Sequence, residues 1–167
     1  MILLSKHDAF LSDYLTMMSD MMNNSSALKP ARSEFHYVGG MYQLLREHGR
    51  FWQPAPLRSD VKAGVIKQCF DNAYKLAKRR GWRYVEGIAH GVVIPMHHAW
   101  CVDDNGNVVD NTWREVGESY CGVEIPTAYV AYVRRTTGLW ASLDNWRNRH
   151  EIYKQPFSHD ALLSLIK

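Results

Sequence analysis

The 167 residues are 46% hydrophobic, 12% aromatic and 22% charged, a balance near that of globular proteins, which excludes a disordered or low-complexity chain. At this length a single domain over residues 1–167 is expected, burying roughly 70% of the extended chain's surface, so a core forms without disulfides or a structural metal. Twenty Lys and Arg against 17 Asp and Glu leave a net charge of +3, weak for a dedicated nucleic-acid binder. The three cysteines, Cys69, Cys101 and Cys121, are odd in number and lack CxxC spacing. That argues against a disulfide framework or zinc ribbon and for a reducing, cytoplasmic setting. Charges interrupt the apolar start after Leu4, so no signal peptide is expected, and no later run reaches the ~18–20 apolar residues of a membrane span.

In chain order, Leu11, Tyr14, Leu15, Met18, Met21 and Met22 recur at three-and-four spacing and predict a helix over Ser12–Asn23, its methionines facing the core. A second helix is predicted from Ser33 as N-cap, carrying Tyr37, Met41, Leu44, Leu45 and His48 to a stop at Gly49, weakened by Gly39-Gly40. These helices form an N-terminal extension (8–49) to a core at about 64–135. Arg50–Gly64, with Pro54 and Pro56, reads as a loop. Ile66–Arg80 predicts a third helix through Cys69, Phe70, Ala73, Leu76 and Ala77, with Lys75, Lys78, Arg79 and Arg80 at its end, either complementing the dipole or forming a basic patch. Short β-type runs follow at Trp82–Ile88, Val92–Ile94, His98–Asp103, Val108–Thr112 and Ala128–Arg134, and a last helix is expected near Leu139–Arg147. Helices first and strands afterwards predict an α+β domain, a helix packed on a small antiparallel sheet.

The stretch from His97 to Asp110 reads as a hairpin closed at Asn105-Gly106. A two-residue turn sets Asp110 opposite Cys101, on the sheet face away from His98. A three-residue loop, Asp104-Asn105-Gly106, sets Asp110 opposite Trp100 and diagonal to His98 on one face, ~7–8 Å apart at Cα, a gap that imidazole and carboxylate bridge. A histidine oriented by a carboxylate serves a nucleophile, and Cys69 is the candidate, since free N–H groups at a helix start and a nearby imidazolium favour thiolate. Such a pair attacks carbonyl carbon and forms a thioester.

Four blocks carrying these residues, spanning roughly 64–114, resemble the transglutaminase-like superfamily of cysteine acyl-transfer enzymes and hydrolases, which shares its core with papain-like proteases. Cys69-Phe70-Asp71-Asn72-Ala73 is similar to the family's nucleophile helix start, and Gly81-Trp82-Arg83-Tyr84-Val85-Glu86-Gly87 to its RYVxG strand. His98-Ala99-Trp100 resembles its HAW strand. Val109-Asp110-Asn111-Thr112-Trp113 resembles VDPT, with Asn111 where the family usually has proline. The resemblance implies Cys69 as nucleophile, His98 as general acid and base, and Asp110 as its orienter. It also implies an oxyanion hole made by the nucleophile's N–H and an upstream donor, for which Trp52, Gln53 and Gln68 are candidates.

The expected activity is amide hydrolysis or acyl transfer on a peptide or protein, without cofactor or metal. The alternative is a catalytically degenerate module that binds a protein or nucleic acid through the basic helix end and exposed aromatics. His90, His97, His98 and Cys101 offer zinc-type ligands, but strand alternation sends His97 and His98 to opposite faces. Glu86 is expected to face solvent rather than to help bind an amine, Trp100 and Trp113 to pack on the sheet, and Cys101 and Cys121 to be structural.

Overall fold

Ser5 Oγ accepts the Asp8 N–H at 3.1 Å and starts helix α1, which runs Lys6–Asn24. The computed structural model describes residues 5–28, 30–91 and 93–166. Helix α1 therefore begins a turn and a half before the expected Ser12, and its buried face is Leu11, Leu15 and Ser19, with Met18 and Met22 half-buried and Met21 exposed. Helix α2 is Gly40–His48 rather than a helix from Ser33. Gly40 takes a positive φ of 62°, which ends any continuation toward the N-terminus. Tyr37 then reaches the core from a turn, its N–H on Tyr153 O and its hydroxyl bonded to His48 Nε2 at 2.8 Å.

The five strands are β1 (Arg50–Trp52), β2 (Arg83–His90), β3 (Pro95–Val102), β4 (Val108–Val109) and β5 (Ser119–Glu124), ordered β1-β5-β2-β3-β4 and antiparallel throughout. Helix α3 (Cys69–Arg80) packs against β3 and β2 and ends at Gly81 in the left-handed conformation. Alternation along β2 sends Tyr84 and Ile88 into the large core with α1, α2, α3, α4 (Thr127–Thr137) and α5 (His159–Ser164). Val85 and Ala89 face a second cluster with Trp52, Trp100, Val102 and Tyr120. Among the described residues no helix is long and apolar enough to cross a membrane.

Several expectations are corrected. Arg50–Trp52, inside the supposed loop, pairs with β5. The third helix starts at Cys69, and Ile66 is 58% exposed before it. Of Val92–Ile94, Val92 lies outside the described residues, and Val93 and Ile94 form an exposed link between β2 and β3. The ladder of β4 ends at Val109 because Asp110 turns its carboxylate onto the backbone of Thr112 and Trp113. Ala128–Arg134 is α4, not a strand. Its aromatic and β-branched residues fit a strand, but Tyr129, Val130, Val133 and Thr137 bury one helical face, with Pro126 at the N-cap and Gly138 left-handed at the end. The missing strand is β5, whose six residues pair with β1 on one side and β2 on the other.

Glu86 is fully buried rather than solvent-facing. Its carboxylate accepts from the Tyr84 hydroxyl at 3.0 Å, bonds His97 Nε2 at 2.9 Å, and accepts the N–H groups of Ser142 (2.9 Å) and Leu143 (2.7 Å). Those two amides serve the carboxylate instead of a helical ladder, which is why Leu139–Arg147 forms an irregular segment with one short 3-10 turn at Trp146–Asn148. Glu86→Ala leaves both amides and His97 unanswered and is expected to cost roughly 3 kcal/mol in urea unfolding, with Glu86→Gln costing less because one acceptor oxygen remains.

Candidate functional site

Cys69 is the first residue of α3, half-buried, where the leading N–H groups of the helix are free of intrahelical partners. The chain reaches it through Lys67, in the left-handed region at φ 66°, and Gln68, which caps the helix without a side-chain bond. Asn72, one turn into α3, holds this approach. Its Nδ2 donates to Val65 O at 2.7 Å and to Thr112 Oγ1 at 2.9 Å, and its Oδ1 accepts the Val65 N–H at 3.2 Å. Gly64 donates its N–H to Asn111 O, and a Cβ at Gly64 would stand 2.5 Å from Asn72 Cγ. The segment before Cys69 is thus bound to the residues that follow Asp110.

The β3–β4 hairpin adopts the three-residue loop. Asp103 N–H bonds Asn107 O, Gly106 takes φ 84°, and Val102 pairs with Val108 and Cys101 with Val109, so Asp110 follows opposite Trp100. His98 Nε2 and Asp110 Oδ2 meet at 2.7 Å, with His98 1% and Asp110 7% exposed. Nε2 is taken by Asp110, and Cys69 is near enough to act on the charge of the imidazole. Burial alone would lower the imidazole pKa, but the bonds and charges of Asp110 and Cys69 outweigh it and raise it to about 9. Burial likewise works against the Asp110 carboxylate, yet His98 and the N–H groups of Thr112 and Trp113 hold its pKa below the ordinary value.

Three residues of this site escaped the sequence reading. Tyr120 donates its hydroxyl to Asp110 Oδ2 at 3.1 Å and accepts from Gly117 N–H. It stands on β5, whose short glycine-containing run lacks alternation. Asn72 was visible inside the Cys69 block but had no assigned task. Trp113 is more than sheet packing, since its ring stacks on His98 with centroids 4.3 Å apart at 22°. Trp100 packs in the second core cluster as expected.

The three oxyanion candidates part company. Gln68 adjoins Cys69 and lines a cleft of about 470 Å³ with Phe70, Leu139 and Trp140. Trp52 is buried in the second cluster under the guanidinium groups of Arg50 and Arg83, its indole N–H without a hydrogen-bond partner, and Gln53 is exposed beyond β1. A second cleft, of about 360 Å³, lies on the Ile66 side of the cysteine and is lined by Ile66, Val93, Ile94, Met96, Trp113 and Val116.

The zinc-type candidates do not converge as a set: His97, His98 and Cys101 bond Glu86, Asp110 and the carbonyl of Ala73, and His90 stands apart from them beside Glu118. Burial pushes the thiols of Cys101 and Cys121 up to about 12, leaving them inert beside half-buried Cys69. In the basic helix end, Lys75 pairs with Asp71 and Arg80 with Asp60. A scan against protein-family models and searches of curated proteins and of solved structures return no match.

His98 titrates near 6.5 when exposed and at about 9 here, so its contribution to stability is complete below pH 6.5 and lost as pH rises through 9. The urea midpoint of the protein is expected to fall between pH 6.5 and 9, and the fall to shrink in His98→Gln; equal slopes in both proteins would contradict the assignment.

Proposed function

We propose that the chain is a cysteine hydrolase of transglutaminase-like type, cleaving amide bonds in peptides or proteins through a thioester on Cys69. The observation that carries this reading is one imidazole held by a buried carboxylate at 2.7 Å, with the half-buried thiol of Cys69, at the start of a helix, near enough to act on its charge. The order of Cys69, His98 and Asp110, and the blocks around them, support a transglutaminase-like and papain-like core.

In this mechanism the proton rests on His98 and the sulfur attacks as thiolate. Attack on the carbonyl carbon gives a tetrahedral oxyanion, which the Cys69 N–H at the positive end of α3 and the neighbouring Gln68 amide stabilise. His98 donates its Nδ1 proton to the departing amine nitrogen, the C–N bond breaks, and the acyl group stays on sulfur. The neutral imidazole then takes a proton from water as it attacks the thioester, which releases the acid and restores the thiolate–imidazolium pair. Asp110 keeps the ring oriented and Trp113 covers its face. The Ile66-side cleft, walled by Val93, Ile94, Met96 and Val116, suits an apolar side chain near the scissile carbonyl. Hydrolysis is preferred to transfer because the sequence shows no second feature built to hold an acceptor amine. The chemistry needs a reduced Cys69, which suits a cytoplasmic setting, as do three free thiols.

Alkylation mapped at each cysteine by mass spectrometry from acidic to mildly basic pH tests the reading. Cys69 is expected to be alkylated fastest of the three and to lose that advantage in His98→Ala, while Cys101 and Cys121 stay unmodified. Cys69→Ala is expected to abolish amide cleavage with the fold intact. An inert Cys69, or full activity in Cys69→Ala, would refute the mechanism.

A further inference from the structure

Away from Cys69, the start of α1, the end of β2 and the residue before β5 bring two imidazoles and a carboxylate together. His7 Nδ1 and His90 Nδ1 stand 3.2 and 3.0 Å from the same atom, Glu118 Oε2. One ligand atom from each residue lies within 4.8 Å of the others. The His90 contact is close without being a hydrogen bond: Nδ1 is buried and has no hydrogen-bond partner, so the oxygen lies off the direction of a ring N–H. Three donor atoms this close together, with the buried His90 nitrogen left without a hydrogen bond, are an arrangement a cation satisfies.

The spacing fits a tetrahedral ion. Bonds of ~2.0–2.1 Å from nitrogen and oxygen to zinc place neighbouring ligand atoms ~3.3 Å apart, close to the two distances seen. The ligands are also held in place by bonds that leave their donor atoms free. Asp8, next to His7, is buried and accepts the Ser119 hydroxyl at 2.6 Å, and Ser119 is next to Glu118. Glu118 N–H donates to His90 O at 2.8 Å, and the Phe10 ring packs on the His90 ring at 4.9 Å. The His7 and Glu118 side chains are 47% and 40% exposed, so an ion has a way in.

We propose that His7, His90 and Glu118 form a zinc(II) site with three protein ligands, a water molecule completing the tetrahedron. The donor set of two imidazoles and one carboxylate suits zinc, and cobalt(II) can stand in for it spectroscopically. The ion joins α1 to the sheet at a point that the chain otherwise secures through Asp8 and Ser119. It also steadies one wall of the apolar cleft, since Gly91, Glu115 and Val116, beside these ligands in sequence, line it.

The test uses tag-free, chelator-treated protein as wild type and as Cys69→Ala, which removes the one half-buried thiol that competes for the metal. Calorimetry with zinc chloride is expected to show one ion bound per chain in both. Cobalt(II) is expected to give the visible bands of a tetrahedral site without a sulfur charge-transfer band. His7→Ala and Glu118→Gln, at exposed positions and with circular dichroism unchanged, are each expected to weaken binding roughly 100-fold. No binding at micromolar zinc, equal binding in His7→Ala and Glu118→Gln, or a sulfur band that disappears in Cys69→Ala would overturn the proposal.

Discussion

An ionised carboxylate enters a protein interior only when its lone pairs are answered, and Asp110 has two donors on each oxygen. His98 and Tyr120 take Oδ2, at 2.7 and 3.1 Å, and the N–H groups of Thr112 and Trp113 take Oδ1, at 2.9 and 3.2 Å. These donors come from β3, from β5 and from the turn after β4. The Thr112 hydroxyl accepts from Asn72, which fixes the approach to Cys69, and the Tyr120 hydroxyl accepts from Gly117. The relative positions of sulfur, imidazole and carboxylate therefore rest on one side chain whose own geometry is fully determined. The sheet also comes close together here. A Cβ at Gly87 would meet the Cys121 carbonyl, and one at Gly122 would meet Trp100 and Val85, so β2 and β5 approach where a larger residue would force them apart.

Neighbouring histidines on β3 show how a strand divides chemistry between faces. His97 points to Glu86 and packs against Phe70, with ring centroids 4.8 Å apart, while His98 points to Asp110 and lies against Trp113. The Glu86 side is structural. It gathers Tyr84, His97 and the backbone of Ser142 and Leu143, and so roots the segment whose earlier residues, Leu139 to Ala141, wall the cleft beside Gln68. Two buried carboxylates, one on each face, thus serve different ends: one shapes a cleft wall and the other orients an imidazole.

The legible parts of the sequence were those where local pattern and tertiary environment agree. Leu11 and Leu15, the α3 face through Ala73, Leu76 and Ala77, and the glycine of the Asn105-Gly106 turn all express a local rule, and all appear in the fold. The juxtaposition of His98 and Asp110 was legible as one of two registers, and the pairing of Val102 with Val108, with Gly106 but not Asn105 at positive φ, selects between them. What failed to show were residues whose role comes from distant partners. Nothing near Glu86 announces that amides 56 and 57 residues later will bond it. Tyr120 sits in a strand that borrows its order from β1 and β2. Helix α4 has strand-like composition, and only its one-sided burial reveals the period.

The hairpin turn at Gly106 bears on how the site assembles. His98 and Asp110 are separated by 12 residues, all within one hairpin, whereas the Asn72–Thr112 bond that places the sulfur spans 40. Closing the shorter loop loses less chain entropy, and its turn residues already favour the bend. The His98–Asp110 pair therefore belongs to a local unit, and the half-buried thiol of Cys69 joins it as the longer loop closes. An altered sequence that lost the cysteine would still keep the imidazole and carboxylate together, because none of the four bonds to Asp110 comes from Cys69.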